Sequence, residues 1–414
     1  MGRLVRWLAV ALAAVLLGFP ATAAAAPGPD GHPEWWFDAW HVSQLWAEGV
    51  RGQGVTIGVI DTGVQASLPE LAANVLPGKD FGQSGGDGRV DRDMAAFGHG
   101  TAMASLMIAR AGQFDILGLA PDARVLPVAV PITGTTDDAG GAANGDLVDA
   151  IRWAADHGAK IINMSLGAPR DPDGSGHRSC PRDEQDAVDY ALNKGAIVVA
   201  AAGNSGADGS PIEEPSVCLG VIAVGAQDES GAVPAFSSRH PYLTVSAPGV
   251  DVPTLSREAG QAFFGDGTSE ATALTSAGLA LVWSKYPHLS ARQVVGRLLA
   301  TLDNHRSTRD TASGFGGVDI GRAVDASVPI DAPNPVYDAV EPFLARDREL
   351  RSVPPSPPVT RTVRERAGGF VIAAPPGPLA SGQGLAGLVA AVVGLVAVVA
   401  LMVVGLPGPG RRRR

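Results

Sequence analysis

Three short segments of this 414-residue chain supply, in order, a carboxylate, an imidazole and a hydroxyl. They are Val59-Ile60-Asp61-Thr62-Gly63, Gly98-His99-Gly100-Thr101 and Gly267-Thr268-Ser269. A serine nucleophile needs those three groups: the hydroxyl attacks, the imidazole takes its proton, and the carboxylate fixes the tautomer and steadies the imidazolium. Each lies among glycine or threonine, where backbone turns tightly or approaches another segment closely. Singly, each has an ordinary reading as well. Ser269 opens an alanine-rich helical stretch, residues 269–286, where it could be a plain N-cap. His99 could be a helix-start histidine with a structural hydrogen bond, and Asp61 a turn aspartate. Asn204, in Ala201-Ala202-Gly203-Asn204-Ser205-Gly206, is either a turn residue or an amide donor for a developing oxyanion.

The elements that must position these groups follow from hydropathy patterning. Residues 54–60 form a short, β-branched, apolar run that reads as a buried parallel strand with Asp61 at its carboxyl end. Residues 124–130, 160–165, 196–201 and 220–224 repeat the signal. Helical patterns over 144–157 and 184–194 alternate with them, and a further apolar helix is expected over 102–109. Alternation of this kind implies an α/β fold: a mainly parallel central sheet covered by helices in three layers. Ligands of such sheets bind beyond the carboxyl ends of strands. Asp61, Ser165 and Asn204 all fall at or just after such ends.

The ends of the chain carry a different kind of information. A basic start, an apolar stretch and an alanine-rich exit make residues 1–25 a secretory signal. Residues 384–406 are free of charge and long enough to span a bilayer, and Arg411–Arg414 follow. By the positive-inside rule that tail stays cytoplasmic, so residues 407–414 are a basic inner tail and the body lies outside. Between body and span, residues 328–383 are rich in proline and read as an extended stalk. An N-terminal extension, 26–52, precedes a body at 53–327, ample for one large core. Without Arg3, Arg6 and Arg411–Arg414 the net charge of −10 becomes −16, an acidic balance that argues against nucleic-acid binding. The expected partners are an extended polypeptide and, through the C-terminal helix, membrane lipid.

The only two cysteines, Cys180 and Cys218, read as one disulfide in an exported chain. Asp80, Asp87, Asp91 and Asp93 crowd a glycine-rich loop before His99. Their oxygens could bind calcium, but the spacing fits no standard calcium loop. The expectation is a solvated surface loop and no cofactor or metal. Glu213-Glu214, near the presumed cleft, reads as a solvated rim pair, with a preference for basic peptides as the sharper alternative.

The order Asp, His, Ser is that of the subtilisins. Around the triad words stand Gly118-Leu119-Ala120-Pro121, Ile162-Asn163-Met164-Ser165-Leu166-Gly167, Ala201-Ala202-Gly203-Asn204, Ala247-Pro248-Gly249 and Gly314-Phe315-Gly316-Gly317. Over residues 52–327 the chain resembles the subtilisin family of serine peptidases. The resemblance implies the Asp61, His99 and Ser269 triad, Asn204 as oxyanion donor, and a substrate cleft walled by Ser165, Leu166, Gly167 and Gly203. A narrower resemblance is to mycosins, the membrane-anchored subtilisin-like peptidases of actinobacterial type VII secretion. It rests on the signal, stalk and span, on Ala102 after Gly98-His99-Gly100-Thr101, on the disulfide, and on Trp35, Trp36, Trp40 and Trp46. It implies a membrane-anchored extracellular endopeptidase associated with type VII secretion components. A mainly structural role in the secretion complex and a maturation peptidase for exported peptides stand as alternatives. The extension 26–52 is too short for an independent prodomain, so folding without one is expected. Glu270, where the family usually has an apolar residue, has two readings. It is a first-turn acid favoured by the helix dipole, or, by the family's geometry, a carboxylate on the leaving-group side. There it would favour a basic residue after the scissile bond and raise the pKa of His99.

Overall fold

Short apolar runs with no polar alternation can be buried only in a sheet covered on both faces. Five such runs and two shorter edge strands form one parallel sheet: Thr56–Asp61 (β1), Lys79–Asp80 (β2), Arg124–Ala129 (β3), Ile161–Met164 (β4), Ile197–Ala201 (β5), Val221–Gln227 (β6) and Val245–Pro248 (β7), with β2 and β7 at the edges. The structure, a computed structural model, describes residues 34–82, 85–95, 97–133, 141–142, 144–169 and 180–352. The strand order is β7-β6-β5-β4-β1-β3-β2. In β1 all residues from Ile57 to Asp61 are buried. The chain leaves β1 towards β2 and β3 on one side and β4 on the other. This reversal makes the carboxyl end of β1 the natural crevice.

The helices are Trp36–Ala39 (α1), Val42–Ala47 (α2), His99–Ile108 (α3), Asn144–Asp156 (α4), Arg182–Asn193 (α5), Thr268–Lys285 (α6), Ala291–Ala300 (α7), Ile320–Asp325 (α8) and Pro335–Ser352 (α9). α3 and α6 pack together on the sheet, and α4 packs with α5. α6 is buried from Thr268 to Trp283, as a helix with little polar face must be. It touches α3, α7, α8 and strands β1, β4, β5, β6 and β7, so it fixes Ser269 against five strands of the sheet. An antiparallel hairpin, Val252–Leu255 (β8) with Ala262–Gly265 (β9), packs on α3 and leads into α6. Two more short pairs are present, one of them joining Ala168–Pro169 to Glu213–Glu214.

The N-terminal extension is part of the body. Trp36, Phe37, Trp40 and Leu45 are buried. The Trp40 indole donates to the Val318 carbonyl (3.1 Å) and that of Trp46 to the Leu119 carbonyl (3.1 Å). Cys180 and Cys218 are bonded, across 38 residues.

Two expectations change. α3 begins at His99 rather than 102, because side chains of the preceding loop satisfy its first N–H groups. Residues 335–352, expected as extended stalk, form α9, whose Val336, Tyr337, Val340 and Leu344 are buried. Pro335 is the first helical residue, where its missing N–H costs nothing. Residues 353–383 of the stalk, the signal 1–25, the span 384–406 and the tail 407–414 lie outside the described residues. Among the described residues no helix is long and apolar enough to cross a membrane.

Candidate active site

Asp61 ends β1 with its side chain fully buried, and both its oxygens face the imidazole of His99, at 2.8 and 3.0 Å from Nδ1. The carboxylate also accepts the Thr62 N–H (2.8 Å). Since Nδ1 meets only an acceptor, it carries the proton, and among the described residues Nε2 has no hydrogen-bond partner. Gly100 allows the close approach. A Cβ there would lie 2.1 Å from the Gly63 carbonyl and 3.2 Å from the Asp61 side chain.

The loop before His99 locks this arrangement. Asp93 accepts the His99 N–H (2.8 Å), Thr62 Oγ1 accepts that of Gly100 (2.9 Å), and Asp91 accepts that of Thr101 (2.8 Å). These are orphan donors of a helix start, matched by acceptors and by negative charge where the helix dipole favours it. Asp91 also takes the hydroxyls of Thr62 and Thr101 (2.8 and 2.5 Å) and the N–H of Asp93 (3.0 Å). Burial pushes its pKa up against those bonds. Asp80 is buried in an ion pair with Arg92 (2.8 Å). The expectation of a solvated acidic loop is therefore corrected for Asp80 and Asp91, which are buried and already hydrogen-bonded. The one group of potential metal ligands among the described residues, Cys180, Glu184 and Cys218, has both sulfurs committed to the disulfide.

Ser269 is the second residue of α6. Its Oγ donates to the Ser165 carbonyl (3.0 Å), and Ser165 Oγ donates to the Ser269 carbonyl (2.8 Å). Asn163 Nδ2 steadies Ser165 Oγ (3.1 Å), and Asn163 Oδ1 accepts the Ser276 hydroxyl of the next α6 turns (2.9 Å). Among the described residues no hydrogen bond joins Ser269 to His99. The hydroxyl rests on the cleft wall and must rotate to meet Nε2, as unliganded sites commonly require.

Asn204 follows β5. Its Oδ1 accepts both the N–H and the hydroxyl of Thr268 (2.9 Å each), while Thr268 Oγ1 accepts the Gly203 N–H (3.1 Å). Because a backbone N–H can only donate, the amide orientation is fixed and Nδ2 points away from Thr268. Among the described residues neither Asn204 Nδ2 nor the Ser269 N–H has a protein acceptor. Two donors thus converge beside the nucleophile, one at a helix start, where anionic charge is favoured.

The Ser165, Leu166 and Gly167 wall is buried and continues into Ala168–Pro169. Opposite it stands Gly203 at φ +102°. Glu213 closes the slot between them. A Cβ on Gly203 would lie 2.6 Å from its Cγ, and one on Gly167 would lie 3.3 Å from Oε2. Glu213 is 3% exposed, so it is no solvated rim charge as expected, but a buried carboxylate in the wall.

Burial alone would lower the pKa of His99. The Asp61 charge and hydrogen bond, then Glu270 and Asp93, outweigh it and raise it from 6.5 to about 9. Glu270, third in α6 and also buried, is itself raised by burial, against the pull of His99. Sequence reasoning missed Thr268, Thr62, Asp91 and Asp93 as positioning residues. Thr268 and Thr62 lay inside the words that named their neighbours.

The subtilase (peptidase S8) family model matches residues 52–316. Subtilisin DY of Bacillus licheniformis is 38% identical over 261 residues, 62% of this chain and 87% of that protein. The structure is similar to that of the MycP3 protease from the type VII (ESX-3) secretion system, with TM-score 0.60, 31% identity, and coverage of 74% of this chain and 90% of that one. MycP1 with its N-terminal propeptide removed gives TM-score 0.61 at 28% identity, covering 73% and 98%. With the matched region spanning the whole sheet and every residue of the crevice at its carboxyl edge, the chain belongs to the subtilase family of serine peptidases.

Proposed function

We propose that this chain is an endopeptidase in which Asp61, His99 and Ser269 form the triad and Asn204 Nδ2 with the Ser269 N–H forms the oxyanion hole. The observation that carries the reading is the pair of pinned groups around Ser269. Asp61 holds His99 by Nδ1, and Thr268 holds Asn204 by Oδ1, so a base and a donor both face the hydroxyl's cleft. Ser269 Oγ bonds to the substrate carbonyl carbon as its proton passes to His99 Nε2, and the carbonyl oxygen takes up the negative charge between the two donors. The C–N bond then breaks, and Nε2 returns the proton to the leaving amine. Water, deprotonated by the same nitrogen, cleaves the acyl ester and regenerates Ser269.

An extended peptide lies along Ser165–Gly167 with its acyl-side residue entering the slot between Gly167 and Gly203. The test is labelling of the full chain in detergent with a fluorophosphonate serine-hydrolase probe. Labelling that disappears in Ser269→Ala supports the reading, and labelling that persists there overturns it.

We further propose a single-pass membrane anchor at residues 384–406 with the body on the outer face, and association with type VII secretion components. The anchor is supported by the uncharged span before Arg411–Arg414, the association by the likeness to MycP3. Retention of the full chain in the membrane pellet after a carbonate wash, with release when 384–406 is deleted, is the expected result for the anchor. Co-purification of secretion membrane components with the full chain is the expected result for the association.

A further inference from the structure

We propose that Glu270 receives a lysine or arginine side chain from the leaving-group side of the substrate, and that this pairing switches the site on. The inference rests on the triad reading above and gives it a substrate class.

The carboxylate has a built seat. It lies over two bare backbones, where a Cβ on Gly265 would be 2.1 Å from Oε1 and one on Gly267 2.5 Å from Oε2. Glu270 is 7% exposed, and among the described residues its own backbone N–H is the one hydrogen-bond donor acting on it. Among the described residues no lysine or arginine pairs with it.

The seat is on the leaving-group side. Gly265 ends the β8–β9 hairpin, which is fastened to the helix that His99 begins. Leu255 N–H donates to Ser105 Oγ (3.1 Å), and Arg257 N–H donates to the Phe97 carbonyl (2.7 Å). The acyl side is built from a separate set of residues, Gly167 and Gly203 packing on Glu213, whereas Gly265 and Gly267 pack on Glu270. A residue following the scissile bond leaves past His99 Nε2 and therefore past Glu270.

The charges around the seat are out of balance. His99 on α3, Asp61 at the end of β1 and Asp266 in the turn after β9 lie within electrostatic reach of Glu270, and Asp93 in the preceding loop lies within reach of His99. The only cationic group among these is the imidazole. In the unliganded site the imidazolium is countercharge first to Asp61 and then to Glu270 and Asp93, which together outweigh burial and raise its pKa to about 9. A base held protonated cannot take the serine proton. A substrate ammonium or guanidinium on Glu270 takes over that role, and His99 is left with Asp61 as its partner. A neutral side chain at the same place leaves the imidazolium where it was, and an acidic one adds to the excess.

The experiment uses the full chain in detergent and a peptide series identical except for lysine, norleucine or aspartate just after the scissile bond. At pH 7 the lysine peptide is expected to be cleaved at least tenfold faster in kcat than norleucine, with aspartate slowest. The acid limb of kcat against pH, which reports the enzyme–substrate complex, is expected at least one unit lower for lysine than for norleucine. Glu270→Gln keeps the shape of the side chain, and it should erase both differences and speed the norleucine peptide at pH 7. Equal rates and superimposable limbs for lysine and norleucine in the wild type overturn the proposal without needing any variant. Fluorophosphonate labelling of the same preparations above pH 9, where His99 is neutral without a cationic substrate, keeps the two readings apart. A wild type that labels through Ser269 but ignores the residue after the bond sinks the role of Glu270 alone, whereas labelling that survives Ser269→Ala sinks the triad beneath it.

Discussion

Asn204→Ala removes one oxyanion donor, and the structure sets what else it removes. The lost Nδ2 donor is the part that touches the reaction. Loss of a single such donor in a subtilisin costs about 100- to 1,000-fold in kcat, or about 2.7–4 kcal/mol of transition-state stabilisation. The lost Oδ1 is structural, because it accepts the N–H and the hydroxyl of Thr268, which is 1% exposed. Leaving buried donors unsatisfied costs about 1–3 kcal/mol of stability. Two further variants separate the effects. Asn204→Asp keeps an oxygen for Thr268 but turns a donor into a negative charge facing the oxyanion, so stability should hold while kcat falls at least as far. Thr268→Val keeps the backbone donor and frees the amide to swing, so kcat should fall by roughly tenfold, within the range for a misplaced catalytic group. The assay is kcat and KM on one peptide, normalised to fluorophosphonate-titrated sites, with thermal melts in parallel. Asn204→Asp retaining kcat within threefold of wild type, or Asn204→Ala acting on KM alone, would refute the oxyanion assignment.

Two other expectations follow from buried groups away from the triad. Glu34 is 1% exposed, accepts the Leu117 N–H through Oε1 (2.9 Å), and is raised by burial from 4.5 to about 7. The folded state holds its proton longer than the unfolded one, so stability is greatest below the unfolded pKa and falls as pH rises through 7, by about 3 kcal/mol in all. Glu34→Gln should therefore gain on the wild type in melting temperature between pH 5 and pH 8, and a difference that stays flat over that range would contradict the burial argument. Gly203→Ala puts a Cβ 2.6 Å from Glu213 Cγ at φ +102°. A loss of about 1–3 kcal/mol and a rise in KM larger than the fall in kcat are expected from melts and steady-state kinetics, and an unchanged KM would show that Glu213 does not close the acyl slot.

How much of this was legible in the sequence depended on how local each cause is. β1, β3, β4, β5 and β6 are apolar runs long enough to announce themselves. β2 has two residues and β7 four, Val245-Ser246-Ala247-Pro248, so no pattern survives in either. They exist because β3 and β6 offer them open edges. The start of α3 is set by Thr62, Asp91 and Asp93, the first of them 38 residues before Gly100, which no helix-start signal contains. α9 was obscured by its prolines, yet Val336, Val340 and Leu344 recur at helical spacing and could have been weighed against them.

The site divides along the same line. Asp61, His99, Ser269 and Asn204 were readable because their neighbours are fixed by the tight backbone they need. The buried acids were not, because sequence alone assigns a carboxylate to the surface by default. A carboxylate that folding takes inside must find a proton, a set of donors or a countercharge. Asp91 finds four hydrogen bonds from Thr62, Asp93 and Thr101, Asp80 finds Arg92, and Asp61 finds His99. Glu270 has its own backbone N–H and a share of the same imidazole. An apolar residue at that position would have avoided the burial cost and left His99 to Asp61. Burying an acid there instead is a loss to the resting enzyme that a cationic substrate residue offsets, and that difference between empty and filled is what converts an energetic liability into a preference for one class of peptide.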